Sequence, residues 1–158
     1  MSALIDWWRR YFIWAEFGLA VAITAAFLIW MLEWHGSDVV AALLKGRRVA
    51  IYGVLASVFG ALLGFIITTV SVVIVAAQSQ RLDALRESKH YRDLWRIFFA
   101  TIRGLALATA VSFLSMLFDQ ENAPSDVWVA ACFYVIVLAT LRLARSVVVL
   151  QFVVKATA

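Results

Sequence analysis

Four long apolar runs divide this chain, at about 11–34, 49–77, 94–118 and 127–154, and short polar stretches separate them. Each run exceeds the ~20 residues a helix needs to cross ~30 Å of hydrocarbon. Inside hydrocarbon every backbone N–H and C=O must be satisfied within its own segment, so helices are the spanning structure that fits. The single proline, Pro124, falls in the acidic turn from Asp119 to Asp126, and no run is interrupted by proline. The pattern predicts an all-α, polytopic integral membrane protein with four transmembrane helices. They form one domain over residues 1–158, with a connector at 78–93. The first run is too long for a signal-peptide core of ~7–15 residues, so it is expected to be retained as a span. Between the first two runs, Ser37 or Asp38 is placed to cap a short helix through Val39–Leu44, with Gly46 just beyond it. The competing reading is one extra turn leading into the second run.

Composition agrees: 65% hydrophobic and 15% charged residues in 158 is too apolar for a soluble domain. The distribution of charge sets an orientation. Arg9 and Arg10 precede the first run, and Arg81, Arg86, Lys89, Arg92 and Arg96 surround the connector. The turn between the third and fourth runs has three acids and no base. Cytoplasmic loops carry the excess of Lys and Arg, so both termini and the connector are expected in the cytoplasm of a bacterial inner membrane. Lys45, Arg47 and Arg48 fall on the other side, partly offset by Glu33 and Asp38. The tryptophans divide the same way: Trp7, Trp8, Trp14 and Trp95 at the inner edge, Trp30, Trp34 and Trp128 at the outer one. This bias accounts for the net charge of +4 without nucleic acid as a partner.

Chemistry is sparse. Cys132 is the only cysteine, so no internal disulfide forms, and it reads as a small hydrophobe. His35 and His90 fall on opposite sides, which leaves no metal set, and no cofactor is implied. Ser112, Ser115 and Ser146 have no neighbouring histidine to act as a base. An enzyme is not expected.

Small residues recur at helical spacing. The second run carries Gly53, Ser57 and Ala61 on one ridge and Ala56, Gly60 and Gly64 on another, and Gly60 to Gly64 forms a GxxxG motif. The third has Ala100, Gly104, Ala108 and Ser112, and the first has Gly18, Ala22 and Ala26. Such ridges let helix backbones approach closely in lipid. Some serve packing within the chain and others are candidates for a homo-oligomer. The apolar segment Ser146–Val154 also asks for cover on every side: either it packs in a cytoplasmic bundle, between protomers included, or span four sits deeper and draws Arg142 and Arg145 into the bilayer.

Charges inside the runs are the strongest functional signal. Arg103 lies about 22 Å below the outer edge, Arg142 about 21 Å and Glu16 about 25 Å, at ~1.5 Å per residue. With Arg145 one turn beyond Arg142, they form a charged layer on three helices. An intramembrane charge is paired, snorkelling or functional. The expectation is an ion pair between Glu16 and Arg103 or Arg142, with snorkelling to inner headgroups as the alternative for the arginines. In the connector, Arg81, Arg86, Lys89 and Arg92 alternate with Asp83, Glu87 and Asp93. That reads as a solvated helical linker whose basic excess suits anionic lipid or a cytoplasmic protein partner.

The span end Gly64-Phe65-Ile66-Ile67-Thr68-Thr69-Val70-Ser71, the connector from Gln80 to Tyr91 and the aromatic start Trp95-Arg96-Ile97-Phe98-Phe99 resemble a pattern in uncharacterised small four-span bacterial membrane proteins. The resemblance covers the middle third of the chain. It implies a membrane component, in some cases of anti-phage defence, and carries over no functional residues. Three functions follow from the sequence: an oligomeric membrane effector or channel gated by a cytoplasmic partner, a non-conducting anchor or sensor for a soluble partner, and a small transporter using Glu16.

Overall fold

A computed structural model describes the backbone of residues 2–76, 89–119, 121 and 124–157, and the side chains of residues 14–72, 74–75, 95–119, 121 and 124–148. The described residues form five helices and no strand: α1 (Ser2–Glu33), α2 (Gly36–Leu44), α3 (Arg48–Ala76), α4 (Lys89–Phe118) and α5 (Asp126–Thr157). Four are long and apolar enough to cross a membrane, over Trp14–Glu33, Arg48–Val72, Trp95–Phe118 and Asp126–Val148. The all-α, four-span reading holds. Connector residues Arg81 and Arg86 lie outside the described residues. Lys89 and Arg92 fall in the first turn of α4, whose backbone alone is described.

Packing links the spans in the order α1–α5–α4–α3. α3 packs along α4, α4 along α5, and α5 along α1; among the described residues α1 has little contact with α3 or α4. The centre of the core is Phe59, Ile66 and Val70 of α3, Phe98, Leu105 and Ala108 of α4, and Val135 and Ala139 of α5. Large apolar side chains also cover the outside, with Leu32 80% and Phe65 68% exposed. In water such a surface would drive aggregation; in a bilayer it is the lipid-facing surface.

α2 is a separate helix, so the reading of an extra turn on span two fails. The expected cap also differs. His35 holds the N-cap position in the left-handed region (φ 53°) and makes no side-chain capping bond, while Asp38 sits in the first turn. The reason is the tight corner with α1. Gly36 lies under Trp30, where a Cβ would come within 2.7 Å of the indole Cε3, so only glycine lets the chain turn there. Gly46 (φ 71°) makes the second left-handed turn, into α3.

The small-residue ridges separate into inner and outer sets. A Cβ on Gly53 would meet Met116 at 3.8 Å and one on Gly60 would meet Thr109 at 3.9 Å, so both glycines face α4 within the chain. A Cβ on Gly64 would meet nothing within 4 Å, and Ser57 and Ala61 are exposed beside it. The GxxxG motif is therefore not one interface: its first glycine packs inward and its second faces out. Gly18, Ala22 and Ala26 are exposed as well, and α1 buries Ala20 and Thr24 instead. Gly60→Leu is thus expected to cost the fold about 1–3 kcal/mol through overpacking. Gly64→Leu should leave the unfolding midpoint of the monomer in detergent unchanged. Equal losses would contradict this division.

Candidate functional site

The buried face of α4 and the residue after it mixes polar with apolar groups at heptad spacing: Thr101, Leu105, Ala108, Ser112, Ser115 and Asp119 are all at most 1% exposed. α5 answers with Cys132, Val135, Ala139 and Ser146, all buried. Steps of three and four keep one helix face turned to its neighbour, so the seam between α4 and α5 is where the chain stores its internal polar groups. The Cys132 thiol donates to Ser115 Oγ at 3.2 Å, and the Ser112 hydroxyl is buried without a partner. Ala108 is fully buried in this seam. Charged clusters sit towards both ends.

At the α2 end, Asp119 is the hub. Its Oδ2 accepts from Arg48 Nη1 and from the Tyr52 hydroxyl, each at 2.6 Å, and its Oδ1 accepts from the Ser125 backbone N–H at 2.9 Å. Arg48, Tyr52 and Asp119 are all buried. The Glu121 carboxylate accepts from the backbone N–H groups of Gly46 and Arg48, at 3.2 and 3.3 Å, and so caps the first turn of α3. Burial alone would raise the Asp119 carboxyl. Hydrogen bonds from Tyr52, Ser125 and Arg48 outweigh it and hold the group below the usual carboxylate range. A carboxyl lowered by folding adds stability above its unfolded pKa and withdraws it as pH falls through the lower, folded value. The thermal midpoint is therefore expected to stay level down to the ordinary carboxylate range and to fall below it. Asp119→Asn should flatten that acid limb, and an unchanged limb would remove Asp119 as its source.

At the opposite end, Glu16 of α1 forms a salt bridge with Arg145 of α5, both side chains mostly buried. This corrects the expected pairing of Glu16 with Arg103 or Arg142. Arg142 acts on Glu16 through its charge, but its guanidinium Nη1 donates to the Ala100 carbonyl of α4 at 3.0 Å. Thr101 shares its hydroxyl proton between Ile97 O at 3.0 Å and Arg142 O at 3.2 Å, tying the same two helices. Gly104 provides the notch: a Cβ there would meet Arg142 Cδ at 2.9 Å. The Gly104 and Ala100 ridge thus admits a side chain rather than a backbone. Phe17 meets Tyr134 edge-on at 6.0 Å beside this cluster, and the Tyr134 hydroxyl and Arg142 Nε are buried without partners.

Arg103 departs from the expected layer. It is exposed, on the face of α4 turned away from Glu16 and Arg145, with no ion-pair or hydrogen-bond partner among the described residues. No group of three or more potential metal ligands occurs among the described residues.

Sequence reasoning placed Glu16, Arg142 and Arg145 together and missed Arg48, Tyr52, Asp119 and Glu121. The signal was present. Arg48 breaks the charge bias of its side, and an acid follows span three at the same level. As an internally neutralised cation, Arg48 is not a free positive charge in that loop.

Comparison with family models, with curated proteins and with solved structures finds no match to this chain in any of the three.

Proposed function

We propose that this chain is a non-enzymatic membrane anchor of the bacterial inner membrane, with termini and connector in the cytoplasm, that receives a soluble protein partner there. The observation that supports it is that the described charges inside the spans, Arg103 apart, are satisfied within the chain, while the connector sequence is rich in bases. Glu16 is engaged by Arg145, which leaves the transporter reading without a free carboxylate. Arg142 is held by Ala100, and Arg48 by Asp119.

A second reading has a specific observation in its favour. Ser57, Ala61, Gly64, Thr68 and Ser71 form an exposed stripe on α3, where Ser57, Thr68 and Ser71 bond back to their own helix. Such a stripe suits a homo-oligomer. An assembly around Arg103 would be a membrane effector that alters permeability for anions, in the manner of a defence component. Ion flux in liposomes separates the two readings. The anchor reading expects no flux above that of empty vesicles, with or without the soluble protein encoded beside it. A sustained flux that Arg103→Ala reduces would overturn the anchor reading and establish the other.

A further inference from the structure

We propose that the exposed face of α4 binds one anionic phospholipid through Arg96 and Arg103. Arg103 lies eight residues inside the span that begins at Trp95, about 12 Å along the helix axis. It is exposed and has no partner among the described residues, an expensive arrangement for a cation in hydrocarbon. Among the described residues none offers a free counter-ion at that depth. The acids within the four spans are Glu16, Glu33 and Asp126; the last two stand at the far ends of their spans, and Arg145 holds Glu16. A neighbouring copy has the same composition, so it brings no free carboxylate to that level either. The charge that answers Arg103 comes from the membrane.

The geometry selects a phosphate. Arg96 lies seven residues before Arg103, which on a helix is the same face two turns nearer the membrane edge, about 10.5 Å away. Arg96 is exposed and also lacks a partner among the described residues. Helical side chains lean towards the N-terminus, so Arg103 is directed to the level of Arg96 and of the headgroups. Two guanidinium forks match the oxygens of one phosphodiester. Phe99, 51% exposed, lies between them on the same face and offers an apolar surface to the acyl chain. In the sequence Lys89 and Arg92, offset in part by Asp93, leave the start of α4 net positive. This run of positive charge repels the ammonium of a zwitterionic headgroup and favours a lipid with net negative charge.

The test is native mass spectrometry of the full chain released from bilayers of equal phosphatidylglycerol and phosphatidylethanolamine. One phosphatidylglycerol should be retained in preference to phosphatidylethanolamine. Arg103→Gln should weaken that retention about fivefold and Arg96→Gln/Arg103→Gln roughly 25-fold, from about fivefold per basic residue near the surface. Arg96→Lys/Arg103→Lys should retain more lipid than the glutamine pair, and Arg47→Gln at the other end should match the parent. If the glutamine pair does not fold, the Arg103→Gln and lysine variants carry the comparison. Equal retention of both lipids would overturn the proposal. So would retention indifferent to Arg103, or a loss that Arg47→Gln reproduces.

Discussion

Arg48→Met is expected to destabilise the protein by about 3–5 kcal/mol, the largest effect of any single change at the α2 end. The charge it leaves behind, Asp119, is fully buried and retains only the Tyr52 hydroxyl and the Ser125 N–H. Tyr52→Phe removes one neutral donor from the same carboxylate and leaves the ion pair in place, so it should cost only about 1 kcal/mol. Asp119→Leu added to Arg48→Met should recover part of the loss, because no uncompensated charge then remains. Reversible unfolding in mixed micelles measures all three. Equal costs for Arg48→Met and Tyr52→Phe would mean that the network acts through packing alone.

The second large effect belongs to the other end. Arg145→Met is expected to cost about 2–4 kcal/mol by stripping Glu16 of its donor, and Glu16→Leu/Arg145→Met should cost less than that single change. Arg142 cannot take over the carboxylate without leaving the Ala100 carbonyl, since its guanidinium is seated in the Gly104 notch. Double-mutant cycles on unfolding midpoints read the coupling. Additive losses for Glu16 and Arg145 would show that the pair contributes nothing as a pair.

How much of this was legible in the sequence depends on the coordinate in question. Depth was legible. A helix rises by a fixed amount per residue, so counting from the span ends put Glu16, Arg142 and Arg145 in one layer before any fold was known. Rotation about the helix axis was not. α3 is apolar nearly all round, so its sequence gives no preferred face; the same holds in weaker form for α5. Arg142 and Arg145 differ by one turn, and only packing decides which of them meets Glu16. Arg103 lies at the right level on the wrong side of α4. The GxxxG motif failed for the same reason, since four residues advance a helix by slightly more than one turn and its two glycines need not share a neighbour. The α2 corner was half legible. Gly36 and Gly46 marked its turns, but the ring of Trp30 that excludes a side chain at position 36 comes from another helix.

The neighbour order α1–α5–α4–α3 has a consequence for how the protein is made. The first span emerges from the ribosome long before the helix that holds it, because Glu16 and Arg145 are 129 residues apart. Spans two and three can pair as soon as both are in the lipid, and the fourth can then dock on the third. Throughout that time the first helix stands alone with a carboxyl group in or near hydrocarbon, and an unmatched group of that kind is costly. The first helix is thus joined to the others only after the fourth span has entered the membrane. A nascent chain stopped after the third span should present an orphan first helix to membrane proteases, while the pair formed by spans two and three persists.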